Sequence, residues 1–223
     1  TTRGGRVSAH LTPLLAFDTS TETLAVAARG PRGIRAVNAA GGPLASQHLL
    51  PQIHAVLAEV GAALTDLVAI AFGQGPGAFT GLRTSCAVAQ GLGLGLARPL
   101  LPLDSLLVVA EDGFATPGTP TARGCYAVAA DARMDEIYGA VYAFEGEWRT
   151  LHAPALYTMA AWNALLEEEG PALCGVAGSA LRAFGARLHR LPGAMYRPDE
   201  TDRATALLRL ATSAHAAGLA ISA

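Results

Sequence analysis

The chain has 223 residues, of which 51% are hydrophobic and 15% charged, so it can bury a sizeable core and fits one large domain or two small ones. It contains sixteen arginines and no lysine, which excludes lysine Schiff-base chemistry and the lysine-bearing phosphate loop. A net charge of −2 without a run of basic residues excludes a protein that holds nucleic acid by itself, so any role on RNA must be shared with a partner.

Cysteine usage and hydropathy favour a reducing compartment. The three cysteines, Cys86, Cys125 and Cys174, are far apart, odd in number and set in apolar surroundings, which is typical of buried thiols. No uncharged apolar run reaches the length of a bilayer, and the residues before Pro13 lack the apolar core of a signal peptide. We therefore expect a cytoplasmic protein without a membrane partner, in which residues 1–13 form a disordered lead-in.

The first half of the chain predicts strands and helices in the order βββαβαβ. Short apolar runs between turn-rich pieces indicate an antiparallel meander, and a helical spacing of apolar residues follows. Pro51 must lie in the first turn of that helix or kink it. The predicted ranges are strands at 14–18, 23–29 and 33–38, a helix at 46–60, a strand at 68–72, a helix at 79–96 and a strand at 99–103.

A glycine-rich loop joins the fourth predicted strand to the second helix. Glycine occupies positions 73, 75, 77 and 81. There it lets the backbone adopt positive φ and lets another chain or an anion approach the main chain, while the N–H groups of the helix start favour negative charge. A plain tight turn is the alternative, but four glycines exceed what a turn requires. We expect an anion- or partner-contacting loop.

The second half repeats this organisation, which predicts two similar α/β halves. Its predicted elements are strands at 125–130, 137–144 and 148–151, a helix at 159–168, a strand at 173–176 and helices at 179–189 and 203–217. We assign an N-terminal subdomain to residues 14–101 and a C-terminal subdomain to residues 102–202, with the last helix, 203–217, packing back on the first. The loops that follow Asp18, Gly73 and Asp131 are expected to meet in a cleft between the halves.

Four motifs resemble the bacterial TsaB (YeaZ) family over roughly residues 14–210. In the order of that family they are Leu15-Ala-Phe-Asp18-Thr-Ser-Thr21, Gln47-His-Leu-Leu-Pro51-Gln-Ile53, Gly75-Pro-Gly-Ala-Phe-Thr-Gly-Leu-Arg83 and Asp131-Ala-Arg-Met-Asp-Glu-Ile-Tyr138. The resemblance implies an actin-like ATPase (sugar kinase/Hsp70/actin) fold of two related α/β subdomains with mixed sheets. It also implies a non-catalytic accessory role in adding a threonylcarbamoyl group to the adenosine 3′ of the anticodon in tRNAs.

The same resemblance implies partners and an interface. The catalytic subunit TsaD would form a heterodimer with this chain, the ATPase TsaE would join, tRNA would be reached through the complex, and the chain alone would form a homodimer. The family pairs through its first two helices, and Gly91 and Gly95 lie one turn apart on one face of the second. Packing of this small-residue stripe against helix 46–60 of the same chain is the open alternative. The predicted partner or dimer interface comprises His48, Leu50, His54, Leu57, Thr84, Ala87, Val88, Gly91 and Gly95.

Two aspartates hold the metal and phosphate in actin-like ATPases, and Asp18 and Asp131 stand at the corresponding places. We favour a structural interpretation, because Asp18-Thr-Ser can close a turn with its own side chains and residues 133–136 carry side chains where a phosphate favours bare glycine backbone. We therefore expect a vestigial cleft with weak or no ATP hydrolysis and no resident cofactor, and weak or interfacial ATP or ADP binding stays open. Its residues are Asp18, Thr19, Ser20, Gly75, Gly77, Thr80, Gly81, Arg83 and Asp131.

Two further expectations concern metals and Arg83. The catalytic relative carries a His-x-x-x-His metal pair where this chain has Ser105 and Val109, so no metal site is predicted. The six histidines also lack the His-Glu-x-x-His pattern of a metalloprotease. Arg83 lies in the first turn of a helix, where a cation opposes the macrodipole, so we expect an intrachain ion pair to compensate.

The competing hypothesis is a dinucleotide-binding Rossmann-type oxidoreductase. Residues 73–78 fit the pattern G-x-G-x-x-A between a strand and a helix, and Asp104 closes the next strand. Against it, the motif follows an antiparallel meander where a Rossmann unit has parallel neighbours, and Pro76 removes a backbone donor where the pyrophosphate would lie. The hypothesis is kept as the alternative.

Overall fold

The computed structural model describes residues 12–115 and 122–223 of the chain. The first half forms a five-stranded sheet with three helices. Its elements are β1 (Leu14–Asp18), β2 (Thr23–Gly30), β3 (Gly33–Ala40), α1 (Ala45–Val60), β4 (Ala69–Gly75), α2 (Phe79–Leu96), β5 (Leu100–Asp104) and α3 (Ser105–Phe114).

The second half forms another five-stranded sheet. Its elements are β6 (Gly124–Arg133), β7 (Glu136–Phe144), β8 (Trp148–Thr158), α4 (Met159–Glu169), β9 (Leu173–Ala177), α5 (Ala180–Phe184), β10 (Met195–Arg197) and α6 (Arg203–Ala216).

The two sheets share one topology. Their strand orders are β3-β2-β1-β4-β5 and β8-β7-β6-β9-β10. In each sheet the first three strands in sequence pair antiparallel, and the fourth and fifth extend the sheet in parallel. This is the predicted actin-like fold of two related α/β subdomains with mixed sheets, which the structure confirms.

The central strand β1 shows how the helices cover the first sheet. Its alternate residues face opposite sides: Leu15 and Phe17 pack with α1 and α2, whereas Leu14 and Ala16 pack with α6. All five residues of β1 are buried because both faces are covered. The last helix therefore packs back on the first sheet.

Helix α3 was not predicted, and it joins the two halves. Its side chains Leu106 and Val109 pack with Tyr126 and Tyr142 of the second sheet, while α3 also packs against α6. Because β5 continues to Asp104, the predicted subdomain boundary between residues 101 and 102 falls inside a strand. The subdomain limits themselves stay a prediction.

Other predicted elements differ in detail. The predicted helix 179–189 splits at Gly185, whose φ of 53° ends α5 before a 3-10 turn. Strand β8 extends well past the predicted 148–151, and β10 was not predicted. Pro51 lies in the second turn of α1, not in its first, because α1 begins at Ala45.

The N-terminal residues and the cysteines differ in part from the predictions. The predicted lead-in lies outside the described residues except at Thr12 and Pro13, and the Pro13 carbonyl accepts a hydrogen bond from the Val68 amide at 3.0 Å. The three cysteines are partly buried at the margins of the cores, although the sequence predicted buried thiols. Of the helices in the described parts of the chain, none combines the length and apolar character needed to cross a membrane.

Candidate functional site

The candidate site is built at the carboxyl end of β1, where Asp18 begins a short loop. Its carboxylate accepts a hydrogen bond from the Ser20 amide at 2.7 Å, so the predicted turn closed by its own side chain is present. The Thr19 amide donates to the Ser85 hydroxyl of α2 at 3.0 Å, and the Thr19 hydroxyl donates to the Gly81 carbonyl at 2.6 Å. The loop is therefore bound to the start of α2.

Asp18 is neutralised by an arginine that the sequence analysis missed. Nη2 of Arg203, the first residue of α6, lies 2.7 Å from Oδ2 of Asp18, and both side chains are buried. The Ser105 hydroxyl donates to the same carboxylate oxygen at 3.0 Å. A carboxylate and a guanidinium removed from water are tolerable together because each compensates the charge of the other.

The pKa values of this pair favour ionised groups. Burial alone would raise the pKa of Asp18, but the Arg203 guanidinium and hydrogen bonds from Ser20 outweigh burial and hold that pKa below its ordinary value. Burial alone would lower the pKa of Arg203, but Asp18 and Glu200 raise it further above its ordinary value. The two groups form a buried ion pair.

Three of the four glycines that the sequence marks as ligand-contacting face the chain's own Asp18 loop. A Cβ at Gly73 would lie 2.1 Å from the Asp18 carboxylate, one at Gly77 would lie 2.5 Å from the Ser20 carbonyl, and one at Gly81 would lie 1.8 Å from the Thr19 carbonyl. The expectation of an anion-contacting loop is corrected in this respect. Gly73 leaves room for the Asp18 carboxylate, and Gly77 and Gly81 leave room for the backbone of residues 19 and 20.

A metal-bound nucleotide phosphate does not fit these residues. The carboxylate of Asp18 is already paired with a buried cation, and the glycine loop is filled by the Asp18 loop at Gly77 and Gly81. Gly75 donates its amide to the Ser105 hydroxyl at 3.1 Å, so that donor also has a partner within the chain.

Asp131 lies in a separate hairpin of the second sheet. Its amide donates to the Ser179 hydroxyl at 3.0 Å, and its carboxylate accepts from the Arg133 amide at 2.8 Å. Nη2 of Arg133 lies 3.5 Å from Oε1 of Glu22 in the loop between β1 and β2. The hairpin thus reaches the Asp18 side of the cleft through Arg133.

Arg83 does not have the expected ion pair among the described residues. Its guanidinium carbon lies 3.7 Å from the centroid of the exposed Phe79 ring. A cation over an aromatic face is attracted to the ring quadrupole. Because α2 begins at Phe79, Arg83 lies in its second turn and not in the predicted first turn, where the macrodipole would act on it most strongly. Thr80 beside it is also exposed, so both residues lie on the outer surface of α2.

The small-residue stripe of α2 faces outward. Within the described residues, no atom lies within 4 Å of a Cβ built at Gly91 or Gly95, so α1 does not fill the stripe and that alternative is wrong. We call the exposed or partly exposed residues of these helices the outer helix face. They are His48, Leu50 and His54 on α1 and Thr84, Ala87, Gly91 and Gly95 on α2.

Two residues of the predicted interface face the core instead. Leu57 is only 2% exposed and packs with Ile53 and Val60 in the core under α1. Val88 packs partly against the same core. The apolar period of α1 places Leu57 on the inward side, so it belongs to the fold and is removed from the predicted interface.

The two positions that match the relative's metal-binding histidines hold buried side chains with contacts inside the fold. Ser105 is buried at the Asp18 carboxylate, and Val109 packs in the core between α3 and the second sheet. Within residues 12–115 and 122–223, no group of three His, Cys, Asp or Glu side chains is arranged to hold a metal ion.

The strand arrangement and the contacts of Asp104 bear on the dinucleotide-binding hypothesis. One argument against it was wrong, because β4 lies between β1 and β5 and is parallel to both. Asp104, however, caps α3 by accepting the Leu106 amide at 2.9 Å, and it accepts the Tyr142 hydroxyl at 2.5 Å. Burial raises the pKa of Asp104 above its ordinary value, although these hydrogen bonds oppose the rise. Its carboxylate is therefore part of the fold.

Comparison with known proteins identifies a matching family model and two curated relatives that share a name. Residues 44–197 match the family model described as TsaD, tRNA N6-adenosine threonylcarbamoyltransferase. The tRNA threonylcarbamoyladenosine biosynthesis protein TsaB of Escherichia coli (strain K12) is 36% identical over 129 residues, which cover 58% of this chain and 54% of that protein. TsaB of Haemophilus influenzae is 38% identical over 127 residues, covering 56% and 51%. The chain thus spans about half the length of the curated relatives it matches.

Two solved structures match along nearly their whole length. A crystal structure described as an uncharacterized protein with similarity to peptidase YeaZ from Pseudomonas aeruginosa superposes with a TM-score of 0.82 at 34% identity, covering 95% of each chain. YeaZ from Pseudomonas aeruginosa superposes with a TM-score of 0.78 at 33% identity and the same coverage. The chain belongs to the TsaB (YeaZ) family and carries the domain that the TsaD model describes.

Proposed function

We propose that this chain is a non-catalytic accessory subunit of the complex that adds a threonylcarbamoyl group to the adenosine 3′ of the anticodon in tRNAs. It binds TsaD and supports its activity. The observation that carries the proposal is the open outer helix face, on a chain whose cleft is closed by its own residues.

The accessory role rests on what the catalytic positions do in this fold. The matching family model is named for a transferase, but Ser105 and Val109 stand where the resemblance places a metal-binding histidine pair. The Ser105 hydroxyl accepts the Gly75 amide and donates to Asp18, and Val109 is 5% exposed. Both residues support the fold, and neither supplies a metal ligand of the kind a histidine pair provides.

The partner contact rests on the shape of α2. Gly91 and Gly95 present bare backbone on the outer helix face, so a helix of another chain can approach closely and gain dispersion contacts. Helix-interior glycines are unfavourable by about 0.5–1 kcal/mol each relative to alanine, so close packing against a partner would offset that loss. TsaD is the proposed heterodimer partner, and a second copy of this chain occupies the same face when TsaD is absent.

The proposal of tRNA as an indirect partner is supported by charge, and that of TsaE by the family resemblance. With a net charge of −2, the chain reaches tRNA through the complex, and TsaE is the proposed third component. The cleft lined by Asp18, Gly77 and Gly81 is proposed to be vestigial, since the Asp18 carboxylate already has partners and the two glycines pack against the Asp18 loop.

Size-exclusion chromatography with light scattering tests the partner contact. Purified chain mixed with TsaD from the same source is expected to elute as a heterodimer, and Ala87→Arg is expected to abolish the complex while circular dichroism stays unchanged. Ala216→Arg is the matched control, because Ala216 is exposed in the last turn of α6, away from the outer helix face. Separate elution of the wild-type chain and TsaD would contradict the proposed function.

A further inference from the structure

The turn between β6 and β7 has an unusual backbone for its residues. Arg133 pairs with Glu136, so Met134 and Asp135 form a two-residue hairpin loop. Their φ angles are 53° and 61°, and Arg133 before them has a φ of 68°. Positive φ at both central residues is the requirement of a type I′ turn, for which Asn-Gly is the usual choice. Methionine is a poor choice because its Cβ crowds the following carbonyl in this region.

The monomer gains little from methionine at the turn. The Met134 side chain is 92% exposed, so it contributes almost nothing to burial. The flanking residues are held in place: the Arg133 amide donates to the Asp131 carboxylate at 2.8 Å, and Arg187 donates to Asp135 at 2.9 Å. An unfavourable residue, kept in a fixed and exposed position, is typical of a site where the side chain serves another molecule.

The surface around Met134 runs toward the start of α1. Arg133 contacts Glu22 at 3.5 Å, and Glu22 Oε2 lies 3.4 Å from where a Cβ of Gly42 would lie. Two residues further, Leu44 is 51% exposed immediately before α1. The exposed apolar side chains of Met134 and Leu44 thus lie at the two ends of a surface that joins the hairpin to α1.

The charges around Met134 are mainly acidic. Four carboxylates and two guanidiniums surround the turn: Glu22, Asp131, Asp135 and Glu136 against Arg133 and Arg187. A complementary surface would carry basic side chains around an apolar pocket. The unbranched, flexible thioether of methionine adapts to such a pocket.

We propose that Met134 is an anchor for the same protein partner that covers the outer helix face, inserted into an apolar pocket rimmed by basic side chains. This inference rests on the proposed function and extends the TsaD contact from the helices across the mouth of the cleft. Presentation on a short, fixed turn reduces the ordering cost of binding, because the backbone of the anchor is already in place.

Isothermal titration with purified TsaD tests the anchor. In the double variant Met134→Asn/Asp135→Gly, the turn has its favoured residues, so the melting temperature is expected to rise by about 2–4 °C. The same variant is expected to weaken TsaD binding by about tenfold or more, because the anchor is lost. A more stable protein that binds more weakly is the signature of a residue kept for its partner.

Two controls separate the anchor from general surface changes. Met134→Asn alone removes the anchor but keeps Asp135 and its ion pair with Arg187, so TsaD affinity is expected to fall as it does in the double variant. Met195→Asn replaces another exposed methionine, 41% exposed on β10, and is expected to leave affinity unchanged.

The outcomes distinguish this inference from the proposed function. If wild type binds TsaD and Ala87→Arg does not, while the double variant binds as tightly as wild type, the anchor is overturned and the proposed function stands. If the wild-type chain does not bind TsaD, the proposed function fails, and the anchor fails with it.

Discussion

The buried pair of Asp18 and Arg203 is the residue-scale feature that most defines the cleft. An aspartate after the first strand of this fold meets a guanidinium from the last helix, 185 positions away in sequence. The Arg203 guanidinium lies beside the Asp18 carboxylate, the group that would hold a phosphate-bound metal ion. Neutralisation of the Asp18 carboxylate therefore depends on a contact between residues that are distant in sequence.

Removal of that cation should destabilise the fold. Arg203→Met is expected to lower the free energy of unfolding by about 3–5 kcal/mol at neutral pH, because it leaves a buried carboxylate unpaired. The double variant Asp18→Asn/Arg203→Met is expected to recover part of this loss. Urea unfolding of both variants measures the effect, and equal losses in the two would contradict an ion-pair role for Arg203.

The same pair predicts a pH dependence. The folded pKa of Asp18 is lowered, so its contribution to stability is present above the unfolded value of about 3.9 and is lost as pH falls through the lowered folded pKa. In Arg203→Met the buried carboxylate takes up a proton readily, so the deficit relative to wild type should shrink between pH 7 and pH 4. A deficit that is constant over this range would be inconsistent with the charge argument.

Arg83 has a smaller expected role than the sequence suggested. Its contact with Phe79 is exposed, and such cation–π contacts contribute about 0.5–1 kcal/mol. Arg83→Ala should therefore lower the melting temperature by only about 1–4 °C. Phe79→Leu, which removes the other partner, should have a similar effect in the same thermal scan. A much larger drop for Arg83→Ala alone would point to the ion pair that was originally expected.

At the scale of elements, the start of α2 is fixed by one glycine. A Cβ at Gly81 would lie 1.8 Å from the Thr19 carbonyl, and a backbone atom cannot move aside cheaply. Gly81→Ala is expected to cost about 1–3 kcal/mol or more of stability, as overpacking does. Gly91→Ala in the same helix, with open space around it, should instead stabilise by about 0.5–1 kcal/mol. Equal thermal shifts for the two variants would argue against the close approach.

Most elements of this fold could be predicted from local patterns. The strands β1 to β3, which are short apolar runs between turns, and the periodic helices α1 and α2 lie within a few residues of the predicted ranges. Helix α3 was missed because its Leu-Leu-Val-Val run is short and β-branched, which does not distinguish a buried helix from a strand. The three-residue strand β10 offers too short a pattern to recognise.

The cleft was less predictable because its contacts are long-range. The loop residues Asp18, Thr19 and Ser20 were identified, but their partners Ser85, Ser105 and Arg203 were not. One signal was available for Arg203: it is a cation in the first turn of a helix, the same feature that was noted for Arg83. In Arg203 the compensating carboxylate is present, and in Arg83 an aromatic ring takes its place.

At the scale of the whole molecule, two equivalent sheets carry different surfaces. The first sheet bears α1 and α2 outward and α6 inward, and α3 and α6 lie between the sheets. The Asp18 end of the cleft is closed by the buried pair and by packing. The proposed function places partners on the outer helix face and on the hairpin of residues 131–136. An accessory subunit needs such surfaces more than it needs an open cleft.

Formation of threonylcarbamoyladenosine on tRNA, measured in a reconstituted reaction supplied with the activated threonylcarbamoyl adenylate, tests the central claim most directly. We predict no product from this chain alone and little from TsaD with TsaE. Strong formation is expected when the wild-type chain is added, and not when Ala87→Arg is added. Product formed by this chain alone, or equal product from TsaD and TsaE with and without it, would contradict the accessory role.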